Sequence, residues 1–163
     1  MNRKEIFKFL RELYIFNALQ DHELRGVVRI FESKIYPDGA VVFREGEPGQ
    51  YFYLIVSGNV SLGRHQEGHI GTLGRKDNLG EGALLYDQPH TATATTQGEC
   101  VLLRINRELF YRMLDKYPPI YEVLRVLTKS YAVARAKDFP WLREDELIRI
   151  IQQKHIAVIL ERL

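Results

Sequence analysis

This 163-residue sequence has little of what marks several other protein classes. It has one cysteine, Cys100, which excludes an internal disulfide and any zinc site built on several cysteines. No apolar run approaches the roughly 18 residues that cross a membrane. Lys8, Arg11 and Glu12 also interrupt what would be the apolar centre of an N-terminal signal peptide. These absences predict a cytoplasmic protein.

The sequence also lacks a large excess of either positive or negative charge. Lysine and arginine total 23 against 21 aspartates and glutamates, for a formal net charge of +2. Nucleic-acid-binding domains concentrate basic residues on one face, whereas the two signs are interleaved here. We therefore expect no nucleic acid as a partner. Apolar residues make up 45% and charged residues 27% of the chain, values that are ordinary for a globular domain.

Helical patterns stand at both ends of the sequence. Residues 3–32 repeat apolar side chains at three- and four-residue spacing, and Asp21 is predicted to cap a second helix there. Asn106 is predicted to cap the first helix of the segment 106–137. The domain is thus expected to span 1–137. Residues 138–163 form a predicted helical appendage whose apolar end suggests a longer protein, with a downstream region attached to a membrane.

The middle of the chain, residues 34–105, has a different pattern. Short runs of β-branched and aromatic residues alternate with glycine-bearing turns, which is typical of a β-sandwich or barrel. Helices on both sides of an all-β region predict a mainly β fold, a jelly-roll-like barrel with flanking helices.

The stretch "LGEGALLYDQPHTATATT", residues 79–96, carries the densest set of functional signals. Glu81 stands between two glycines, and residues 83–86 could form one helical turn whose amides face a pocket. Exposed amides at a helix start attract phosphate, while an ionised carboxylate suits a sugar hydroxyl. The segment therefore has groups for a sugar-phosphate. Alternatively, Gly-Glu-Gly is a surface turn, followed by apolar residues that fill the core.

Two stretches resemble the cyclic nucleotide-binding domain family. "YPDGAVVFREGEPGQYFYLIVSGNVSL" is similar to the opening hairpins of that family, with Gly39, Gly46 and Gly58 at its turns. "LGRKDNLGEGALLYDQPHTATA" is similar to its phosphate-binding cassette, a strand, a short helix and a loop. The resemblance covers about residues 10–137. It implies a jelly-roll-like β-barrel with N-terminal and C-terminal helices.

The resemblance also implies roles for residues of the cassette. Glu81 would receive the ribose 2′-hydroxyl, the backbone of Gly82 and Ala83 would bind the cyclic phosphate, and Thr91 would meet the phosphate or the base. The ligand would be cAMP, cGMP or another small anion, with no tightly bound cofactor and no metal. The predicted ligand-binding set is Gly80, Glu81, Gly82, Ala83, His90, Thr91 and Ala92.

One departure from the family pattern affects the expected affinity. His90 occupies the position of an arginine that clamps the phosphate. A guanidinium is a permanently charged, bidentate donor, whereas an imidazole is mostly neutral at pH 7. Losing one partner of a buried charge pair costs about 2–5 kcal/mol, or roughly 30- to several-thousand-fold in affinity. Acidic pH, or a cation from Lys76 or Arg75, would partly restore binding.

No arrangement in the sequence indicates catalysis, so we expect a regulatory domain rather than an enzyme. His65, Glu67 and His69 lie close together, but a polar hairpin tip explains them better than a metal site. Cys100 is expected to be a buried, inert thiol.

The helix predicted over residues 119–137 leaves three interpretations open. It could cover the ligand, with Tyr131 or Arg135 over the base, or it could pair two copies in a homodimer. In the first case the chain is a sensory domain, and in the second a dimerisation or protein-interaction scaffold. A transcription regulator that lacks its helix-turn-helix module is the third interpretation.

Overall fold

A computed structural model describes residues 1–133 of the chain, with side chains through residue 125. In this part of the chain, helices precede and follow an antiparallel sheet, and one short helix interrupts its strands. The elements are α1 (Arg3–Arg11), a 3-10 turn (Tyr14–Phe16), α2 (Asp21–Val28), β1 (Glu32–Tyr36), β2 (Val41–Phe43), β3 (Tyr51–Arg64), β4 (Gly68–Leu73), β5 (Asn78–Leu79), α3 (Glu81–Leu85), β6 (Thr93–Asn106), α4 (Arg107–Lys116) and α5 (Pro118–Val133).

The N-terminal helices begin at reciprocal caps. In α1, the Asn2 side chain accepts from the Glu5 amide at 2.8 Å, and the Glu5 carboxylate accepts from the Asn2 amide at 3.1 Å. In α2, the Glu23 carboxylate accepts from the Gln20 amide at 2.9 Å. The cap is therefore Gln20, and the prediction of Asp21 was wrong by one residue, because the glutamate of the third helical position selects Gln20.

The sheet confirms the predicted mainly β fold with flanking helices. Its strand order is β1-β6-β3-β4, with β2 paired to β6 and β5 paired to β3, all antiparallel. The sheet begins at Glu32, so residues 29–32 do not continue the predicted N-terminal helix. Among the described residues, β1 and β4 do not pair, so hydrogen bonds do not close the barrel.

The long strand β3 is buried on both faces. Phe52 and Leu54 belong to a core that the helices cover, whereas Tyr53 and Ile55 belong to a second core inside the curved sheet. This alternation follows from the two-residue period of a strand. Burying one such side chain completely contributes about 1.5–3 kcal/mol, so the two cores together fix the position of β3. β5 and β6, the strands on either side of the 79–96 stretch, both pair with β3.

Cys100 lies in the second core, as predicted. Its thiol is fully buried and donates to the Asn59 carbonyl at 3.1 Å. Burial raises the pKa of this thiol, which disfavours the reactive thiolate.

The C-terminal helices begin at, or within one residue of, the predicted positions. The Asn106 side chain accepts from the Leu109 amide at 2.9 Å and caps α4. The next helix begins at Pro118, one residue before the predicted start. The side chain of Tyr131, Arg135 and the appendage 138–163 lie outside the described residues, so the lid, dimer and appendage stay predictions. Within residues 1–133, no helix combines the length and apolarity needed to cross a membrane.

Candidate functional site

The entry into α3 is built on a close approach to β3. Gly80 has φ +88°, and a Cβ atom there would lie 2.6 Å from the Tyr51 carbonyl oxygen. Only glycine fits such a position without strain. The helix begins at Glu81 rather than at Ala83 as predicted, because this tight turn brings the chain into helical geometry two residues earlier. Glu81 therefore stands in the first turn, where helix amides have no partner inside the helix.

The Glu81 carboxylate is the most unusual polar group of this site. Its Oε2 atom is buried and has no hydrogen-bond partner within the described residues. Burial raises the pKa of this carboxyl above its ordinary value, and the nearby charge of Asp77 raises it further. Hydrogen bonds from the backbone amide of Glu81 and from the Asn78 side chain lower the pKa, but burial has the larger effect. A buried acceptor without a donor costs about 1–3 kcal/mol, so this oxygen is suited to receive a donor from a ligand.

His90 is buried against an aromatic ring of β2. The residue is 7% exposed, and its imidazole stacks on Phe43 with ring centroids 3.8 Å apart and an angle of 10° between the ring planes. Burial lowers the pKa of His90, while Glu47 raises it. The net effect is a pKa below the ordinary value, so the ring is neutral at pH 7. This environment supports the prediction that position 90 carries no permanent charge.

The loop between β2 and β3 contacts the cassette at two places, the segment around His90 and the start of α3. The His90 amide donates to the Glu47 carbonyl at 2.9 Å, and the Gly46 amide donates to the His90 carbonyl at 2.8 Å. A Cβ atom on Gly49 would lie 2.9 Å from the Cβ atom of Ala83, so only a glycine lets this loop reach the helix. Sequence analysis placed Gly46 in a turn but missed this role, because these contacts join residues far apart in the chain.

A guanidinium that the sequence did not single out also reaches the cassette. The Arg64 Nε group, at the end of β3, donates to the Thr91 carbonyl at 2.9 Å. Its Nη1 atom lies 3.4 Å from the Glu67 carboxylate. Arg64 and Glu67 line an open cavity of about 680 Å³ together with Glu45, His90 and Thr91.

The two cations that were predicted to replace the missing arginine have partners near the N-terminal helix α1. Both Arg75 and Lys76 pair with Glu12, the residue that follows α1, at 3.5 and 3.4 Å. Arg75 also lies over the Phe9 ring at 5.3 Å from its centroid. The expectation that either side chain reaches the pocket was wrong, since the Glu12 carboxylate attracts both cations and the Phe9 ring also attracts Arg75.

The histidines of the β3–β4 hairpin have separate partners. His69 Nδ1 lies 2.9 Å from the Ser61 hydroxyl, and His65 Nε2 lies 3.6 Å from the Glu45 carboxylate. In the part of the chain that the structure describes, no group of three histidine, cysteine or acidic side chains is arranged to hold a metal.

Comparison with known proteins decides the family. Residues 33–117, just over half of the chain, match the family model described as "Cyclic nucleotide-binding domain". The chain belongs to the cyclic nucleotide-binding domain family. The matched residues run from β1 to the end of α4 and contain the whole cassette.

Curated relatives carry this domain within longer chains. A cGMP-dependent protein kinase of Toxoplasma gondii is 34% identical over 67% of this chain and 11% of its own length. A cAMP-dependent protein kinase regulatory subunit of Dictyostelium discoideum is 32% identical over 79% of this chain and 41% of its own length. The chain thus spans between about a tenth and two fifths of these relatives.

Solved structures of the family have the same fold. A structure described as cAMP-bound PfPKA-R has a TM-score of 0.71 and 30% identity, and covers 82% of this chain and 46% of its own. The catabolite activator protein of Thermus thermophilus has a TM-score of 0.67 and 28% identity, over 73% of this chain and 58% of its own. This chain is therefore a cyclic nucleotide-binding domain of the regulatory type, as predicted.

The structure separates the predicted site residues of this cyclic nucleotide-binding domain into two groups. Gly80, Glu81, Gly82 and Ala83 form the turn and the start of α3. His90, Thr91 and Ala92 follow on the segment that leads into β6. The β2–β3 loop contacts both groups, which is the arrangement expected of one ligand site. Which of these residues touch a ligand stays a prediction.

Proposed function

We propose that this chain is a non-enzymatic, cytoplasmic regulatory domain that binds a ribose-bearing nucleotide, cAMP or cGMP, at residues 80–92 of the cassette. The observation that carries this proposal is the buried Oε2 atom of Glu81, which has no donor within the described residues. The ribose 2′-hydroxyl of a cyclic nucleotide supplies such a donor. Binding would then relieve the desolvation cost of the carboxylate.

The proposed affinity for cyclic nucleotides is low at neutral pH. A buried, neutral imidazole offers one hydrogen bond where a guanidinium offers a charged pair. The stack on Phe43 also fixes the plane of the His90 ring, so the ring cannot turn freely toward a phosphate. We expect an affinity at least about 30-fold below that of an arginine-bearing cassette, from the lower bound of 2 kcal/mol.

The signal would leave the cassette through α4. The Tyr111 hydroxyl of α4 donates to the Leu84 carbonyl of α3 at 2.7 Å. Arg107, also in α4, pairs with Asp87 at 2.5 Å and donates to the Gly49 carbonyl at 3.2 Å. A ligand that moves α3 would therefore also move α4 through these contacts. We propose that α5 passes this movement to an effector protein or to a second copy of the chain.

A dimerisation or protein-interaction scaffold is the second candidate. The observation that favours it is the His90–Phe43 stack, in which side chains of the protein itself occupy part of the site. In that case the cassette stays folded without a ligand, and the helices alone carry the function.

Titration calorimetry of the full chain with cAMP and cGMP tests the proposal. We expect weak binding at pH 7.5 that Glu81→Ala abolishes. Glu108→Ala is the matched control, because Glu108 is an exposed glutamate that pairs only with Arg112 among the partners identified for it. Absence of heat with either nucleotide at millimolar concentration, in a folded protein, would favour the scaffold.

A further inference from the structure

The N-terminal helical segment carries the whole net charge of the chain. Residues 1–31 contain six lysines and arginines against four acidic residues, and this excess of two equals the formal net charge of all 163 residues. The rest of the chain is therefore electrically balanced. An excess on so short a segment produces a local positive potential that the composition of the whole chain does not reveal.

The acidic side chains of this segment all have partners. Glu5 and Glu23 accept hydrogen bonds from backbone amides at the starts of α1 and α2. Asp21 pairs with Arg11 at 3.2 Å, and Glu12 pairs with two cations from outside the segment. Within the described residues, five exposed cations of the segment are left without a carboxylate partner, namely Arg3, Lys4, Lys8, Arg25 and Arg29.

These five cations lie on the solvent side of the two helices. The side of α1 that packs into the core carries Ile6, Phe9 and Leu10. At 3.6 residues per turn, Lys4 and Lys8 lie on the opposite side of that helix. Arg25 of α2 reaches α1, with its guanidinium carbon 5.5 Å from the centroid of the Phe7 ring, and Arg29 follows one turn later. The cations of both helices thus form one exposed surface, which we call the basic face.

Exposed apolar groups accompany the basic face. Phe7 is only partly buried under Arg25. Met1 and Tyr14, which stand at the two ends of α1, are 42% and 47% exposed. Cations next to tyrosine and apolar side chains suit the boundary between lipid headgroups and acyl chains. An acidic polypeptide would pair with the cations alone, whereas an anionic bilayer uses both kinds of group.

From this combination we infer that the basic face binds the surface of a bilayer that contains anionic phospholipids. The inference goes beyond the proposed nucleotide site, because no residue of the basic face belongs to the cassette. A lysine or arginine near an anionic bilayer strengthens binding about fivefold, so two of them account for about 30-fold (about 2 kcal/mol).

Vesicle flotation of the full chain tests the inference, with phosphatidylcholine vesicles that contain either no phosphatidylserine or about a third of it. We expect binding to the anionic vesicles alone, and its loss between about 0.05 and about 0.5 M salt, because salt screens exposed charges. The double variant Lys4→Ala/Lys8→Ala should bind about 30-fold more weakly, and Lys4→Arg/Lys8→Arg should bind like the wild type.

The double variant Lys34→Ala/Lys116→Ala is the matched control. It removes the same charge from two exposed lysines on β1 and α4, and it should keep wild-type binding. Equal losses in both alanine variants, or no binding of the folded wild type to anionic vesicles, would overturn the inference. Tighter binding to poly-glutamate than to the vesicles would overturn it too, because the face would then suit an acidic protein segment. Calorimetry with cAMP and cGMP reads the proposed nucleotide site separately, so neither result decides the other.

Discussion

Replacing His90 with arginine restores the charge that the cassette lacks, and its effect follows from the structure. The imidazole stacks on Phe43 at 3.8 Å, and a guanidinium at this position can stack on the same ring, so a cation–π contact replaces the stack of two rings. It gains a permanent charge and two parallel donors for a phosphate. The full gain for such a pair is about 2–5 kcal/mol.

Neighbouring carboxylates reduce that gain. Glu47, whose carbonyl accepts the His90 amide, lies close enough to compete for the new guanidinium. We therefore expect the lower end, about 2 kcal/mol, or roughly a 30-fold rise in cAMP or cGMP affinity at pH 7.5.

Titration calorimetry of the wild type and His90→Arg measures this ratio directly, and thermal unfolding shows whether both proteins are folded. His22→Arg is the matched control, because this histidine is exposed on α2 and is not one of the residues that line the cavity beside His90. A folded His90→Arg protein with unchanged cyclic nucleotide affinity would refute the reasoning. The missing charge would then not be what limits binding.

Three further predictions concern stability and the link to α4. Gly80→Ala should cost about 2–4 kcal/mol in chemical denaturation, since it combines a left-handed backbone with a close contact, whereas Gly82→Ala, with open space around its Cβ, should not destabilise the protein. The pKa of His90 is lowered in the folded state, so the stability it contributes is present above about pH 6.5 and is lost as pH falls. His90→Phe should then lose less thermal stability than wild type between pH 7.5 and 5.5, and an equal loss would contradict this. Arg107→Ala should raise hydrogen exchange in residues 86–92 by removing the Asp87 and Gly49 contacts, and unchanged exchange would show that these contacts do not stabilise the segment.

The fold could be predicted because its signals are local. Glycine-bearing turns, the Asn106 cap and the two-residue alternation of β3 each act within a few residues of sequence. The errors at Asp21 and Ala83 were small shifts of a helix start. They arose because a capping glutamate and the close approach of Gly80 to β3 decide these boundaries. The first is readable in a sequence, whereas the second depends on tertiary contact.

The electrostatics of the site could be predicted only in part. The type of residue at position 90 was enough to show that a permanent charge is missing. The partners of Arg75 and Lys76 were not predictable, because Glu12, at the end of α1, lies more than sixty positions earlier in the chain. For the same reason, the arrival of Arg64 at Thr91 had no signal in the sequence.

The backbone explains how this cassette can lose an arginine and keep its shape. The amide and carbonyl of His90 bond to Glu47 and Gly46, and Pro48 pairs with Pro89, so the loop contacts at this end do not depend on the side chain at position 90. At the other end, Gly80 and Gly49 allow approaches that any Cβ would block. The shape of the cassette is therefore set by backbone hydrogen bonds and glycines, whereas the side chains at positions 81 and 90 are the ones that we propose to select the ligand. On this proposal, a substitution at position 90 changes what is bound with little effect on the fold, because ligand selection and folding depend on different atoms.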